Sequence, residues 1–455
     1  MKECVWEKYD KTMINSMEDF CSEYKEFLSN CKTERECIKE TVKLAKEYGY
    51  KDINEFIEKN KKLRKGDKLY AVNMDKAIIL YVVGEDDMES GINIVGSHID
   101  SPRLDLKAKP IYENSNLVLF DTHYYGGIKK YQWVAHPLSM HGVVVKKDGT
   151  KLNIVIGEDE NDPVFAISDL LPHLDREVKK EVIKGEDLNV LVGSIPCTDK
   201  KEKQRVKKNI LDILKAKGIE EEDLFSAEIE VVPAGKARDM GIDKSMIIGY
   251  GQDDRVCAFT SLKAILETEK PKKSAMCLLV DKEEIGSVGA TGMESRFFEN
   301  TVAEIMNLTG SYSELKLRRA LKNSSMISSD VTAALDPNYL SVMNADTDAQ
   351  FAKGISFNKY TGHHGKSGAN DTNPEFIARI RNVLDKHKVY YQATEMGKVD
   401  AGGGGTIAYI MANYGMNVID AGVPLLNMHA PWEIACKTDI YESYRCYKVF
   451  YEDFQ

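Results

Sequence analysis

The sequence predicts a mixed α/β fold, in which residues 1–106 and 237–455 form one domain around a mixed sheet and residues 107–236 form an inserted β-rich domain. Two observations support this prediction. Beyond residue 246, strand-like and helical segments alternate at the spacing of βαβ units. Between residues 107 and 236, short strand patterns dominate and no metal-type motif occurs. A chain of 455 residues is long enough for more than one domain.

The predicted elements follow this division. Residues 12–64 have helical periodicity, and residues 69–99 alternate between strands and turns. In the insertion, two strand patterns flank the turn Asp148-Gly149, which predicts a hairpin, and a Lys-rich helix follows near 202–216. The predicted elements of the last part are helices at 256–266, 374–388 and 404–414 and strands at 275–280, 389–394 and 417–421.

The composition is that of an ordinary globular protein, with 43% hydrophobic and 29% charged residues. The net charge of −10 argues against nucleic acid or an anionic membrane as a partner. No stretch approaches the roughly 18 apolar residues of a membrane span, and the N-terminus has no apolar signal core. Nine cysteines without paired short spacings favour a reducing compartment, so we expect a cytoplasmic protein.

The pair Glu283-Glu284 lies between an apolar strand and the turn at Gly286. Adjacent side chains at a strand end diverge, so one carboxylate can bind a metal while its neighbour faces the water to be activated. The pattern does not decide which glutamate has which task. A solvated surface pair is the alternative.

Four further segments place a metal-competent side chain near an apolar run. His98 closes such a run, and Asp100 can accept the other ring N–H; a structural histidine is the alternative. Asp253-Asp254 opens a predicted helix, so either aspartate could bridge two cations or simply cap the helix. The other two segments contain Asp330, after the apolar residues 326–327, and His429, after the strand-like segment 417–421.

These positions converge if their strands share one parallel sheet, because ligands bind at the carboxyl ends of such strands. Two histidines and three carboxylates suit a pair of divalent ions. Zinc is the first expectation, and manganese and cobalt are the alternatives.

Five ordered motifs carry a family resemblance: GSHIDSPRLDLK, GQDDR, DKEEIGS, SSDVTAALDPNY and GVPLLNMHAPWE, between about residues 96 and 433. With them the chain resembles the aspartyl aminopeptidase and vacuolar aminopeptidase I family of co-catalytic metallo-exopeptidases. The resemblance implies a mixed-sheet metallo-exopeptidase catalytic domain, an inserted β-rich dimerisation domain, and a homo-oligomer, a dodecamer built from dimers.

The resemblance also implies roles for the individual residues. His98 and Asp330 would bind one metal, Glu284 and His429 the other, and Asp253 would bridge both, joined to Asp254 by a cis peptide bond. Glu283 would be the general base that takes a proton from the metal-bound water and passes it to the leaving amine. Asp100 would orient His98.

Substrate contacts are expected in three loops. The glycine run 402–405, with Gly403 and Gly404, predicts either a backbone contact with the peptide or a tight turn. His173 either reaches the neighbouring subunit's site, as the resemblance implies, or is a surface histidine. The loop 358–370 departs from the pattern of acidic-specific members, so a neutral or broad preference is at least as well supported as an acidic one, with Lys359, Lys366 or a histidine able to supply charge.

The predicted function is that of a two-metal aminopeptidase that removes the N-terminal residue from peptides. One alternative is a two-metal deacylase or dipeptidase, which needs the same ligands. The other is a non-catalytic assembly or cargo protein that is stabilised by metal. The pair Glu283-Glu284 argues against the second alternative, because a structural metal site does not need an unligated base.

Overall fold

A computed structural model describes residues 4–171, 173–174, 183–362 and 364–455. Within them the helices, in chain order, are α1 (Lys11–Asn30), α2 (Glu34–Glu47), α3 (Ile53–Glu58), α4 (Arg205–Ala216), α5 (Gln252–Leu266), α6 (Phe297–Thr309), α7 (Glu314–Asn323), α8 (Pro374–Lys386), α9 (Ala408–Ala412) and α10 (Lys437–Asp453).

The strands of the described residues form three sheets. In chain order they are β1 (Lys51–Asp52), β2 (Lys68–Asn73), β3 (Ala77–Val82), β4 (Ile92–His98), β5 (Arg103–Asn114), β6 (Leu117–Tyr125), β7 (Leu138–Val145), β8 (Lys151–Ile156), β9 (Val190–Gly193), β10 (Ala227–Pro233), β11 (Arg238–Met240), β12 (Met246–Gly249), β13 (Ser274–Val280), β14 (Ser325–Ser328), β15 (Thr332–Ala333), β16 (Ile355–Asn358), β17 (Tyr391–Thr394), β18 (Asn417–Gly422), β19 (Pro424–Leu426) and β20 (Glu433–Cys436).

Contacts group the chain into two compact units. The first comprises residues 1–100, 237–428 and 433–455, and the second comprises residues 101–236 and 429–432. The second unit thus begins six residues before the predicted start of the insertion at 107. It also includes the short segment 429–432, which the sequence analysis assigned to the other domain.

The first unit is built on a nine-stranded mixed sheet in the order β1-β2-β3-β13-β4-β14-β18-β16-β17. Its centre, β13-β4-β14-β18, is parallel, whereas β3 and β16 run antiparallel to their central neighbours. The central strands are apolar along their length because both faces of the sheet are covered. One face packs against α1, α5, α8 and α10, and the other against α6 and α7.

A second sheet of the first unit has the order β11-β12-β20-β19-β15. Strands β12 and β20 pair antiparallel, with Gly249 opposite Glu433. Strand β12 leads directly into α5, so this sheet positions the start of that helix.

The second unit contains a six-stranded sheet in the order β8-β7-β10-β5-β6-β9, in which all the named pairs are antiparallel. The predicted hairpin is formed by β7 and β8, with Asp148-Gly149 in the connecting turn. The predicted Lys-rich helix is α4.

One predicted element is wrong. The helix expected at 404–414 spans only Ala408–Ala412. The glycines before it lie outside the helix, because glycine loses more backbone entropy in a helix than any other residue. Among the described residues, none of the helices has the length and apolarity that a membrane span requires.

Candidate metal centre

Three neighbouring parallel strands bring candidate ligands to one edge of the nine-stranded sheet. His98 is the last residue of β4, Asp330 follows the end of β14 by two residues, and the pair Glu283-Glu284 follows β13. Because β13, β4 and β14 are adjacent and parallel, their carboxyl ends lie side by side. One imidazole and three carboxylates therefore share this edge.

Asp253 approaches His98 from the start of α5. The chain turns at Gly251, which has a φ of 72°, and Asp253 and Asp254 have non-helical backbone angles inside the first turn. The peptide bond between these two aspartates is cis, as the resemblance implies. Asp253 Oδ1 lies 3.3 Å from His98 Nε2, and Asp330 Oδ1 lies 3.9 Å from the same nitrogen.

The condition that all five positions follow strands of one parallel sheet is not met for two of them. Asp253 follows β12 and His429 follows β19, and both strands belong to the five-stranded sheet. A run of apolar residues shows that a segment is a strand but not which sheet it joins. The sequence therefore could not separate these two segments from the other three.

The imidazole of His98 is held at its other nitrogen. Nδ1 lies 3.0 Å from the backbone oxygen of Asp100 and 3.3 Å from its Oδ1. Both contacts are acceptors, so the proton resides on Nδ1 and Nε2 faces Asp253 and Asp330. The backbone N–H of His98 donates to Asp254 Oδ2 at 3.3 Å, which fixes the strand end as well.

Asp100 has a second contact that the sequence did not predict. Its two carboxylate oxygens accept the backbone N–H groups of Glu283 and Glu284, at 3.2 and 3.1 Å. Glu283 Oε2 lies 3.9 Å from His98 Nε2, and Glu284 and Asp253 have carboxylate oxygens within 4.8 Å of each other. A single buried aspartate thus positions both the histidine and the glutamate turn.

The charges of this cluster favour a bound cation. Burial raises the pKa of Asp330 well above its usual value, and the charges of Asp254, Glu283 and Asp253 raise it further. Burial also raises the pKa of Asp254. Burial alone would lower the pKa of His98, but its contacts with Asp100 and Asp253 raise the pKa overall. Excess negative charge in a buried place is offset by protons or by metal ions.

The donor set fits such an ion. Ligand atoms of His98, Asp253 and Asp330 all lie within 4.8 Å of one another. One imidazole nitrogen and several carboxylate oxygens are the donors preferred by zinc, manganese and cobalt. The residues present can therefore hold a divalent metal.

His429 lies in the segment 429–432, which the contacts group with the second unit. Its Nδ1 is 2.9 Å from the backbone oxygen of Gly127, so Nε2 is the nitrogen left for a ligand. Its place in the metal centre stays a prediction from the motif.

The residues predicted to contact the substrate lie in loops. His173 is exposed, and residues 172 and 175–182 lie outside the described residues. Gly403 has a φ of 136°, and the backbone oxygen of Gly404 accepts the N–H of Gly362 at 2.7 Å. The helix starts only at Ala408, so the glycine run 402–405 lies in the loop before it.

The two lysines of the loop 358–370 differ in their surroundings. Lys359 lines a cavity of about 620 Å³ between α8 and strands β16–β18, and none of the predicted ligands lines it. Lys366 lies 3.9 Å from the ring centre of Tyr360 and 3.2 Å from Asp371. Neither arrangement selects an acidic or a neutral substrate.

Two further buried acids lie near the cluster: Asp254, which was an alternative candidate for the bridging ligand, and Glu433, which was not predicted as a site residue. Asp254 accepts the N–H of His98, and Glu433 Oε2 accepts the N–H of Asp253 at 3.1 Å. Both lie inside quoted motifs, GQDDR and GVPLLNMHAPWE, so the signal was present. Sequence alone could not show that they bind backbone rather than metal.

Comparisons with known proteins agree on one family. The sequence model of the aminopeptidase I zinc metalloproteases, peptidase family M18, matches residues 27–451. A relative from Clostridium acetobutylicum, named a probable M18 family aminopeptidase 1, is 58% identical over 98% of this chain and 97% of its own. A Thermotoga maritima relative with the same name is 46% identical over 98% of each chain.

Solved structures agree as well. An M18 aminopeptidase from Thermotoga maritima superimposes with a TM-score of 0.95 at 46% identity, over 99% of both chains. Aminopeptidase I from Clostridium acetobutylicum gives 0.93 at 55% identity, over 100% of this chain and 99% of the other. The yeast mApe1 dodecamer shares the fold, with a TM-score of 0.77 at 20% identity over 97% of this chain and 98% of the other.

These findings do not favour a deacylase, a dipeptidase or a non-catalytic assembly protein. The family match covers nearly the whole chain, and it includes every motif that places an acid or histidine in the cluster. The chain belongs to peptidase family M18, the aminopeptidase I zinc metalloproteases, and is a metallo-aminopeptidase.

Proposed function

We propose that this metallo-aminopeptidase works with two divalent ions per chain and with Glu283 as its general base. The observation that carries the proposal is the group of His98, Asp253 and Asp330, whose ligand atoms lie within 4.8 Å of one another. Glu283 Oε2 is 3.9 Å from His98 Nε2, so a carboxylate lies beside this group. A general base must be within reach of the proton that it removes.

We assign His98 and Asp330 to one ion, Glu284 and His429 to the other, and Asp253 to both. Zinc is the proposed metal, with manganese and cobalt as the alternatives. When bound, such ions polarise the peptide carbonyl and acidify water. The orientation of His98 Nε2 toward Asp253 and Asp330 supports the first set of ligands.

The chain's own residues handle the proton. Glu283 removes a proton from the attacking water and later delivers it to the nitrogen of the leaving peptide. Asp100 keeps the backbone of Glu283 and Glu284 in place through two N–H contacts, and it also fixes the tautomer of His98. Its role is positioning.

The proposed substrates are peptides with a free N-terminus, contacted by Gly403 and Gly404.

We further propose a cytoplasmic homo-oligomer, a dodecamer built from dimers, in which His173 reaches a neighbouring subunit's site. The resemblance of the motifs supports both proposals, and the insertion 107–236 is the proposed dimerisation domain.

Metal-free protein, reconstituted separately with zinc, manganese and cobalt, tests the proposal. Unblocked aminoacyl anilides with acidic, basic and aliphatic side chains are compared with N-acyl amino acids. We expect hydrolysis of the unblocked compounds only, and a metal content of about two ions per chain. Turnover of the acyl compounds alone, or full turnover without metal, would contradict the proposal.

A further inference from the structure

Glu433 is a buried carboxylate that contacts the backbone next to the candidate bridging ligand. Only 1% of the residue is exposed, and its Oε2 accepts the backbone N–H of Asp253 at 3.1 Å. The mechanism proposed above gives Glu433 no task. A carboxylate that binds a backbone N–H makes a charge-assisted hydrogen bond, which is stronger and more directional than a neutral one.

The fold explains why this glutamate reaches Asp253. Glu433 is the first residue of β20 and lies opposite Gly249, the last residue of β12. From Gly249 the chain makes a tight turn, with Gly251 in the left-handed region, and then reaches Asp253. The side chain of Glu433 therefore spans the turn that connects the five-stranded sheet to α5.

A second set of contacts fixes the same turn. The side-chain amide of Gln252 donates to the backbone oxygen of Glu433 at 2.6 Å and to that of Ile247 at 3.2 Å. The hydroxyl of Tyr24, on α1, donates to Gln252 Oε1 at 3.2 Å. All three side chains, Tyr24, Gln252 and Glu433, are buried. These contacts hold the turn that leads directly into Asp253.

From these contacts we infer that Glu433 is a positioning residue for the metal centre: by holding the N–H of Asp253, it fixes the direction in which the Asp253 carboxylate faces the ions. Asp253 Oδ1 lies 3.3 Å from His98 Nε2, so a small rotation of its backbone would move this oxygen relative to the histidine. The inference rests on the proposed role of Asp253 as a ligand. Partners behind metal ligands typically change metal affinity 10–100-fold when they are removed.

Three variants separate contact from charge. Glu433→Gln keeps an oxygen at the same reach and removes the charge. Glu433→Asp keeps the charge and shortens the reach by one methylene, and Glu433→Leu removes both. If the contact positions Asp253, the Asp and Leu variants lose on the order of 10–100-fold in metal affinity, while the Gln variant, which keeps a weaker contact, loses clearly less.

The measurements are the affinity for zinc, by competition with a chelator, and the visible absorption of the cobalt-loaded protein, which reports ligand geometry. A merely structural role would lower the melting temperature of the metal-free protein without altering the cobalt spectrum. Should the Leu variant fail to fold, the Gln and Asp variants still decide the question. Asp439→Asn is the matched control, because Asp439 is also buried and accepts two backbone N–H groups, from Ala352 and Gly354.

The outcomes are distinct. Loss of affinity and a changed spectrum in the Asp variant, with recovery in the Gln variant, support the inference. A loss in the Gln variant as large as that in the Leu variant, with or without a loss in the Asp variant, means that charge rather than contact matters, and it overturns the inference. So does an unchanged affinity in all three variants. Either of these two results overturns only the role of Glu433, and the proposed function stands as long as the activity of the unsubstituted protein depends on metal. Activity of the unsubstituted protein without metal would refute the proposed function itself.

Discussion

Two acidic clusters of the first unit, one partly and one fully buried, differ in what faces their carboxylates. The strand-edge cluster contains His98, Asp253, Glu283, Glu284 and Asp330. The α10 cluster contains Asp439 and Glu442 on successive turns of α10. In the first, carboxylates surround one imidazole and one another. In the second, donors from the chain itself surround each carboxylate.

In the α10 cluster, both carboxylates accept hydrogen bonds from several donors of the protein. Asp439 accepts the N–H groups of Ala352 and Gly354, both at 2.8 Å. Glu442 accepts the N–H of Tyr390 at 2.7 Å, a guanidinium N–H of Arg445 at 2.6 Å and the hydroxyl of Tyr9. Buried acids are therefore not by themselves a sign of function. The informative feature is whether the protein's own donors suffice or a cation is needed.

The largest expected effect lies in the strand-edge cluster. Glu283→Gln should lower kcat by about 10²–10⁴-fold, because the amide cannot accept the proton from water. Metal content should not change, since Glu283 is the base and not a ligand in the proposed centre. Steady-state kinetics on an unblocked aminoacyl anilide, together with elemental analysis, measures both quantities.

A full rate with metal still bound would remove Glu283 from the role of base. Glu299→Gln is a suitable control, because Glu299 lies on α6 and pairs with Arg296 at 2.8 Å. It has no place in the proposed chemistry, so its kcat should equal that of the unchanged chain.

In the α10 cluster, Asp439 should make the free energy of unfolding depend on pH. Burial raises the pKa of Asp439 from 3.8 to about 7, despite backbone hydrogen bonds that lower it. The folded state therefore binds this proton more tightly than the unfolded chain does. Proton binding by Asp439 therefore adds to the free energy of unfolding. This stabilisation, at most about 4 kcal/mol, is fully present at a pH below the pKa of Asp439 in the unfolded chain, and it is lost as the pH rises through the pKa of about 7 in the folded protein.

Urea unfolding of metal-loaded protein between about pH 5 and pH 8 tests this expectation. Asp439→Asn should remove that part of the pH dependence, because the amide does not titrate. It should also lower the free energy of unfolding by an amount that does not depend on pH, since the amide has one acceptor oxygen where the carboxylate has one for each of the two N–H donors. The same slope in both proteins would contradict the raised pKa of Asp439.

Asp100→Asn should have a smaller effect on the strand-edge cluster. In the amide one of the two oxygens is replaced by an NH2 donor, so the N–H of either Glu283 or Glu284 loses the acceptor that it contacts. We expect kcat to fall on the order of 10–100-fold, with metal affinity lowered in the same range. An unchanged kcat would mean that the glutamate turn keeps its position without Asp100.

The two clusters also differ in how much the sequence could predict. Each residue of the strand-edge cluster lies in a short motif beside an apolar run, so local pattern and resemblance were enough to nominate it. Asp439 and Glu442 lie in a helical stretch where acids are ordinary, and their partners lie far away in the chain. Ala352 and Tyr390 could be linked to them only through the fold.

Within the site, the sequence did not predict contacts between segments that are distant in the chain. Asp100 was predicted to orient His98, two residues away, but its contact with Glu283, 183 residues away, was not predicted. The sequence likewise did not indicate that the strand before Asp253 joins the five-stranded sheet, because pairing partners are set by packing and not by the strand's own residues. The general division into a mixed α/β part and a β-rich part needed only periodicity and turn residues.

The smallest expected effect on the metal centre comes from Tyr9, whose hydroxyl donates to Glu442. Tyr9→Phe keeps the buried ring and removes one hydrogen bond to a charged acceptor, so we expect the free energy of unfolding to fall by about 1.5–3 kcal/mol. Tyr48→Phe, at a tyrosine that is 39% exposed, is the control and should change it by less than about 0.5 kcal/mol. Neither variant should change kcat or metal affinity. A Tyr9→Phe variant that loses metal would show that the α10 cluster and the strand-edge cluster are coupled, and the distinction between them would then fail.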